Sequence, residues 1–133
     1  MRLALDRVQA ATEALLVQFG VGRRRYQAML ALDVAGTASG LTVAGLGRKI
    51  GLRPNSCTEL LDRMETDGLA LRVRDRGDRR IVRARLTLEG TKLVRQIAGA
   101  ERVILSRMSS EFPALPANSD SQRKKTPART PGP

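Results

Sequence analysis

Seven arginines fall within residues 71–85 with Asp75 and Asp78 as the only acids there, a net +5 in a chain whose formal charge is +11. A guanidinium stays charged and presents a planar fork of donors that matches phosphate oxygens, so arginine at this density suits a polyanion. Leu71, Val73, Val82, Ala84 and Leu86 alternate with Arg72, Arg74, Arg83 and Arg85 at the strand period of two. That spacing predicts a two-stranded ribbon with the apolar side on a core and those four arginines on the other side. Arg76, Arg79 and Arg80 fall in the turn between the strands. A merely solvated ribbon, blunted against edge pairing, usually mixes charge signs and favours lysine, which this one does not.

Little other chemistry is on offer. With no His, no glycine-rich phosphate loop and no paired carboxylates, the sequence argues against an enzyme. Its single cysteine, Cys57, closes no disulfide within the chain and has no His to share a zinc ion with, so neither metal nor cofactor is expected. Cys57 lies on an apolar helical stripe and reads as a small core residue rather than a redox sensor. An excess of 24 Lys and Arg over 13 Asp and Glu attracts nucleic acid or an anionic membrane. The membrane finds no other support: no apolar run nears the roughly 18 residues of a spanning helix. Asp6 and Glu13 interrupt what would be the apolar centre of a signal peptide, so the expected location is cytoplasmic.

The 133 residues suffice for one domain with a modest core and a tail. Leu5, Val8, Thr12, Leu15, Leu16 and Phe19 share one helical face before residues 20–22 break the pattern, which makes residues 1–22 an N-terminal helical arm. Residues 23–34 form a second helix with Tyr26, Met29 and Leu30 as its stripe; its three opening arginines are either solvated or facing an anion. Thr42 is positioned to cap a short helix through Ile50, in which Gly45 and Gly47 lower the intrinsic stability by about 1 kcal/mol each. Gly51 tolerates the positive φ of a tight turn, and Pro54 suits the first position of the next helix. There Cys57, Leu60, Leu61 and Met64 recur at helical spacing until Gly68 closes the segment. Asn55, Ser56, Thr58, Glu59 and Arg63 are left outward, within reach of base edges if this helix enters a major groove.

A helix-turn-helix followed at once by an arginine ribbon is a winged helix. The expected fold is mainly α with a small β-hairpin wing, the winged helix-turn-helix spanning 23–86 between N- and C-terminal helices. In residues 41–52, Leu60-Leu61-Asp62-Arg63-Met64-Glu65, Gly68-Leu69, Asp78-Arg79-Arg80, Leu86-Thr87 and Gly90, the chain resembles the MarR family of bacterial transcription regulators. The resemblance covers about residues 23–110, and the spaced Asp-x-Arg, Leu-Thr and Gly pattern is its most specific part. It implies a regulator of double-stranded DNA, more often a repressor, with Asn55, Ser56, Thr58, Glu59 and Arg63 in the major groove. The wing arginines Arg72, Arg74, Arg76, Arg79 and Arg80 then engage the duplex, Arg80 in the minor groove, and Asp78 orients the loop or Arg80. A small-molecule effector is also implied, with Tyr26, Phe19 and Phe112 the only aromatic residues for its pocket. A winged-helix module that binds RNA, protein or nucleic acid without sequence choice is the alternative of another class.

Four features depart from the family pattern. Arg53 replaces a capping Ser or Thr, a cap typically worth about 1 kcal/mol. Glu59 stands where a basic or neutral residue is commoner, and residues 54–67 sum to −3, a poor charge for a groove. After Met108 no second C-terminal helix follows; residues 111–133 are rich in proline and basic residues and read as a disordered tail. Aromatic residues are few. The helix of residues 87–110, capped by Thr87, carries Leu93, Ile97, Ala100, Ile104 and Met108 on one stripe longer than a small core covers. Leu93, Ile97 and Ile104 are therefore expected to pair with Leu5, Val8, Leu15, Leu16 and Phe19 and with a second copy, giving a homodimer.

Overall fold

The computed structural model describes residues 2–111, and the expected disordered tail lies almost wholly outside them. In chain order the elements are α1 (Arg2–Phe19), α2 (Arg23–Ala35), β1 (Leu41–Thr42), α3 (Val43–Ile50), α4 (Pro54–Thr66), β2 (Ala70–Arg74), β3 (Val82–Leu86) and α5 (Leu88–Glu111). One compact unit runs to Glu101, and the remainder of α5 belongs to a second. None of the described helices is long and apolar enough to cross a membrane.

Local chemistry sets the helix ends much as the sequence implies. The Thr42 hydroxyl accepts the Gly45 amide at 2.9 Å, and the Thr87 hydroxyl accepts the Gly90 amide at 3.0 Å. Each hydroxyl satisfies a donor that the first helical turn leaves without a partner. Gly51 ends α3 in the left-handed region at φ 71°, and Leu52 donates back to Gly47 at 2.8 Å. Arg53 supplies no side-chain cap to α4, so Pro54 opens that helix without one. Gly47 serves packing: a methyl there would stand 3.1 Å from the Leu52 carbonyl oxygen and 3.6 Å from Cys57 Cβ. The apparent weakness of α3 is thus what lets it lie close against α4.

The core is drawn from every helix of the first unit. Met29, Leu32, Leu46, Cys57, Leu61, Met64, Val94 and Ile97 are its largest fully buried side chains, and no charged residue among those described is buried with them. Leu15 and Leu16 of α1 are also buried, as is Tyr26 of α2. Of the residues expected at the dimer face, Leu15, Leu16 and Ile97 are buried within the chain itself. Leu5 is exposed, while Val8, Phe19 and Leu93 are half-buried. Ile104, half-buried, falls in the second unit.

The sheet differs from the expected ribbon in two ways. It has three antiparallel strands in the order β1-β3-β2, with Leu41 opposite Ala84 and Thr42 opposite Arg83. Between β2 and β3 the register sets Ala70 against Leu86, Leu71 against Arg85, Arg72 against Ala84 and Val73 against Arg83. Residues directly opposite share a face. Buried Ala70, Ala84 and Leu86 therefore place Arg72 on the core side, while Leu71 and Val73 stand outside, 46% and 39% exposed. The predicted alternation is right for β3 and inverted for β2. In β2 it is Ala70 that fills the inward slot, and acids on α4 receive the inward-facing Arg72.

Candidate nucleic-acid interface

Asn55, Ser56, Thr58, Glu59 and Arg63 are all exposed on α4, and their side chains make no hydrogen bond or ion pair with any other described residue. Their backs are Cys57, Leu60, Leu61 and Met64, which hold the helix on the core and leave the polar face uncommitted. A short row of free donors and acceptors on a supported helix is what base-edge reading requires.

The net −3 of this segment is largely neutralised from outside it. Asp62 and Glu65 receive Arg72 at 2.5 and 2.6 Å, and Asp67 receives Arg25 at 2.7 Å. Only Glu59 remains as an unpaired acid on the outward face. The opening arginines of α2 are likewise engaged: Arg23 pairs with Glu13 at 3.4 Å, and Arg24 donates to the Ile50 carbonyl oxygen at 2.6 Å.

At the tip of the wing two aspartates build the loop. Asp75 Oδ2 accepts the amides of Gly77 and Asp78, both at 2.9 Å, while its Oδ1 accepts Arg83 Nε at 2.7 Å. Asp78 takes Arg80 bidentately, Nε on Oδ1 and Nη2 on Oδ2, each at 3.0 Å, and also accepts the Arg80 amide at 3.1 Å. Arg80 is thereby aimed while its side chain stays 89% exposed. Arg76 and Arg79 are exposed beside it, and Arg74 is exposed with one donor on the Arg79 carbonyl oxygen. Arg72 is the exception among the expected wing contacts, because α4 already holds it. Residues Ala38, Ser39, Val73, Arg74, Asp75, Arg76, Arg83 and Arg85 border an open groove of about 550 Å³. Exposed Arg48, Lys49 and Arg53 around the α3–α4 turn add positive charge that motif reading passed over; their clustering before Pro54 was the available signal.

These ion pairs hold several carboxyls below their usual range. The Arg83 side chain does so for Asp75, Arg80 for Asp78 and Arg72 for Glu65, each chiefly by a direct hydrogen bond. A depressed carboxyl contributes its stabilisation fully above the ordinary value of about 4 and loses it as pH falls through the lowered value. The wing should accordingly hold its order to about pH 4 and lose it progressively below. Amide exchange at Gly77 and Asp78 checks this; protection unchanged down to about pH 2 would contradict it. Burial raises the Cys57 thiol, which keeps it protonated and in its core role.

Of the three aromatic residues, Tyr26 is buried and engaged and Phe19 is half-buried. Tyr26 donates to Glu101 Oε1 at 2.9 Å, Thr12 donates to Glu101 Oε2 at 3.3 Å, and Phe112 lies outside the described residues. An open groove of about 440 Å³ between α2 and α3 is lined by Gln27, Leu30, Ala31, Val34, Lys49 and Ile50.

Comparison with known proteins gives a consistent pattern. A family model described as MarR family matches residues 19–81. An uncharacterized HTH-type transcriptional regulator of Bacillus subtilis, YsmB, is 33% identical over 72 residues, a match covering 54% of this chain and 49% of that protein. The match thus spans about half the length of that curated relative. A MarR family protein from Bacillus stearothermophilus superposes with a TM-score of 0.76 at 26% identity, covering 92% of this chain and 85% of that one. A MepR mutant of Staphylococcus aureus, bound to an oligodeoxyribonucleotide, shares the fold with a TM-score of 0.69 at 20% identity over 96% and 88% of the two chains.

Proposed function

Since the chain belongs to the MarR family, we propose that it is a sequence-specific regulator of transcription that reads double-stranded DNA with α4 in the major groove and the wing in the adjacent minor groove. The observation that carries this reading is the pairing of an uncommitted polar face on α4 with an exposed Arg80 aimed by Asp78. Arg80 suits a narrow A·T-rich minor groove, where the negative potential is strongest. Asn55, Ser56, Thr58 and Arg63 supply donors and acceptors for base edges, and Glu59 accepts from a cytosine amino group. Arg74, Arg76 and Arg79 contribute to phosphate attraction.

The working form is a homodimer. Leu3 and Leu5, 72% and 58% exposed on α1, are the kind of large apolar side chains that a second copy covers. Two-fold symmetry then sets the half-sites about one helical turn apart on a pseudo-palindrome. Repression is the proposed output, and a small-molecule effector seated against α2 is the proposed control.

DNA competition tests the reading. Promoter fragments selected by the protein should stay bound at salt that strips bulk DNA, with a preference of at least about a thousandfold. Loss of both together would mark a general polyanion binder instead. In the same assay Glu59→Gln should shift base preference at one position of the half-site; an unmoved preference would remove Glu59 from the readers.

A further inference from the structure

We propose that Arg72 is a positioning residue that locks the wing to α4, so that the two meet one duplex as a single rigid reader; this rests on the DNA-binding reading above. The sequence alternation casts Arg72 as an outward phosphate contact. Its surroundings assign it elsewhere. The side chain sits on the core face of the sheet, and its Nη2 donates both to Asp62 Oδ1 at 2.5 Å and to Glu65 Oε1 at 2.6 Å. Its Nε reaches Glu65 Oε1 at 3.2 Å. The other Glu65 oxygen accepts the backbone amide of the same residue at 3.0 Å.

That last bond carries the argument furthest. In an antiparallel ladder alternate residues of a strand direct their amides away from the neighbour, and β2 is the outermost strand of the sheet. The Arg72 amide therefore points to the open edge, where no strand can receive it, and a carboxylate from α4 takes it. Glu65 thus grips the wing by main chain and side chain at one residue, and Asp62, one helical turn earlier on the same side of α4, adds a second anchor. Charge-assisted bonds of this kind are roughly twice as strong as neutral ones. A two-stranded ribbon alone is marginal, so its direction relative to α4 is set by what fastens its base. Arg72 and Glu65 fasten it seven residues apart in sequence, at the only junction where α4 leads into the wing.

The sign of one substitution separates this role from simple electrostatics. Glu65→Gln removes a negative charge, so a charge-only account expects tighter DNA binding. A positioning role expects selected promoter DNA to bind about tenfold more weakly, with the contribution of Arg80 blunted in a double-substitution cycle. Arg80→Ala should then cost several-fold less in the Glu65→Gln background than in the wild type. Arg72→Lys keeps the charge but loses the fork, and should show the same blunting, which covers the case of a poorly folding Glu65 variant. Amide exchange gives the readout independent of DNA: the Arg72 amide should be protected in the wild type and exchange at least about tenfold faster in Glu65→Gln. Additive substitutions, or equal or tighter binding by Glu65→Gln, overturn the proposal even if that amide is released. Should the wild type show no sequence preference at all, the DNA reading fails, and amide exchange still tells whether the lock exists.

Discussion

Replacing Arg80 with alanine should lower affinity for the selected promoter by about ten- to a hundredfold, a loss of about 1–3 kcal/mol, while leaving the melting temperature unchanged. The two halves of that expectation come from the same geometry. Arg80 is almost entirely exposed, and its ion pair with Asp78 stands in water, where such pairs add little to folding. Its value lies in being aimed. Asp78 holds Nε, Nη2 and the Arg80 amide together, so the side chain gives up less freedom on entering a groove than an unrestrained arginine would. Asp78 itself, being anionic, contributes only through that aim. Asp78→Ala should therefore weaken binding in the same direction although it raises the net charge. Fluorescence anisotropy with a labelled duplex measures both; unchanged affinity in Arg80→Ala would end the assigned role of the wing tip.

The largest effect on folding is expected at Gly40, just before β1. Its φ is +63°, a region costly for any side chain, and an added methyl would be driven into the Ala84 carbonyl group and against Arg85 Cβ. Neither neighbour can yield cheaply. Ala84 belongs to β3, which is paired on both sides, with Leu41 and with Arg72, and its side chain is fully buried. Overpacking and the φ penalty together put Gly40→Ala at about 2–4 kcal/mol of destabilisation. Chemical denaturation should show a lowered midpoint with little change in slope; a loss under about 0.5 kcal/mol would mean that the strand shifts freely.

The helices were legible because their signals are local. Thr42, Gly51, Pro54, Gly68 and Thr87 stand at helix boundaries, and the stripe of Cys57, Leu60, Leu61 and Met64 is buried as its spacing implies. What escaped were facts settled by partners far along the chain. β1 is two residues long, too short to display any period, and exists because Leu41 and Thr42 find β3 some forty residues later. The facing of β2 was ambiguous because Ala70 and Leu71 are both apolar, and either fits an alternating scheme. A clue was nonetheless present: four acids on a helix proposed to approach DNA make sense only if cations elsewhere claim them. Arg25 and Arg72 do so for Asp62, Glu65 and Asp67. At the candidate site the residue types were readable, whereas which arginine was free and which was already spoken for required the tertiary structure.

Beyond directing the hairpin, the Glu65 carboxylate occupies a backbone donor on the open edge of the sheet. β2 presents Leu71 and Val73 on its outward face and is a lateral strand, the combination that seeds intermolecular sheets. With the Arg72 donor occupied and guanidinium groups on either flank, a second molecule finds no complete row of hydrogen-bonding groups to copy. The carboxylate that orients the reader thus also blunts the edge of β2 against strand addition.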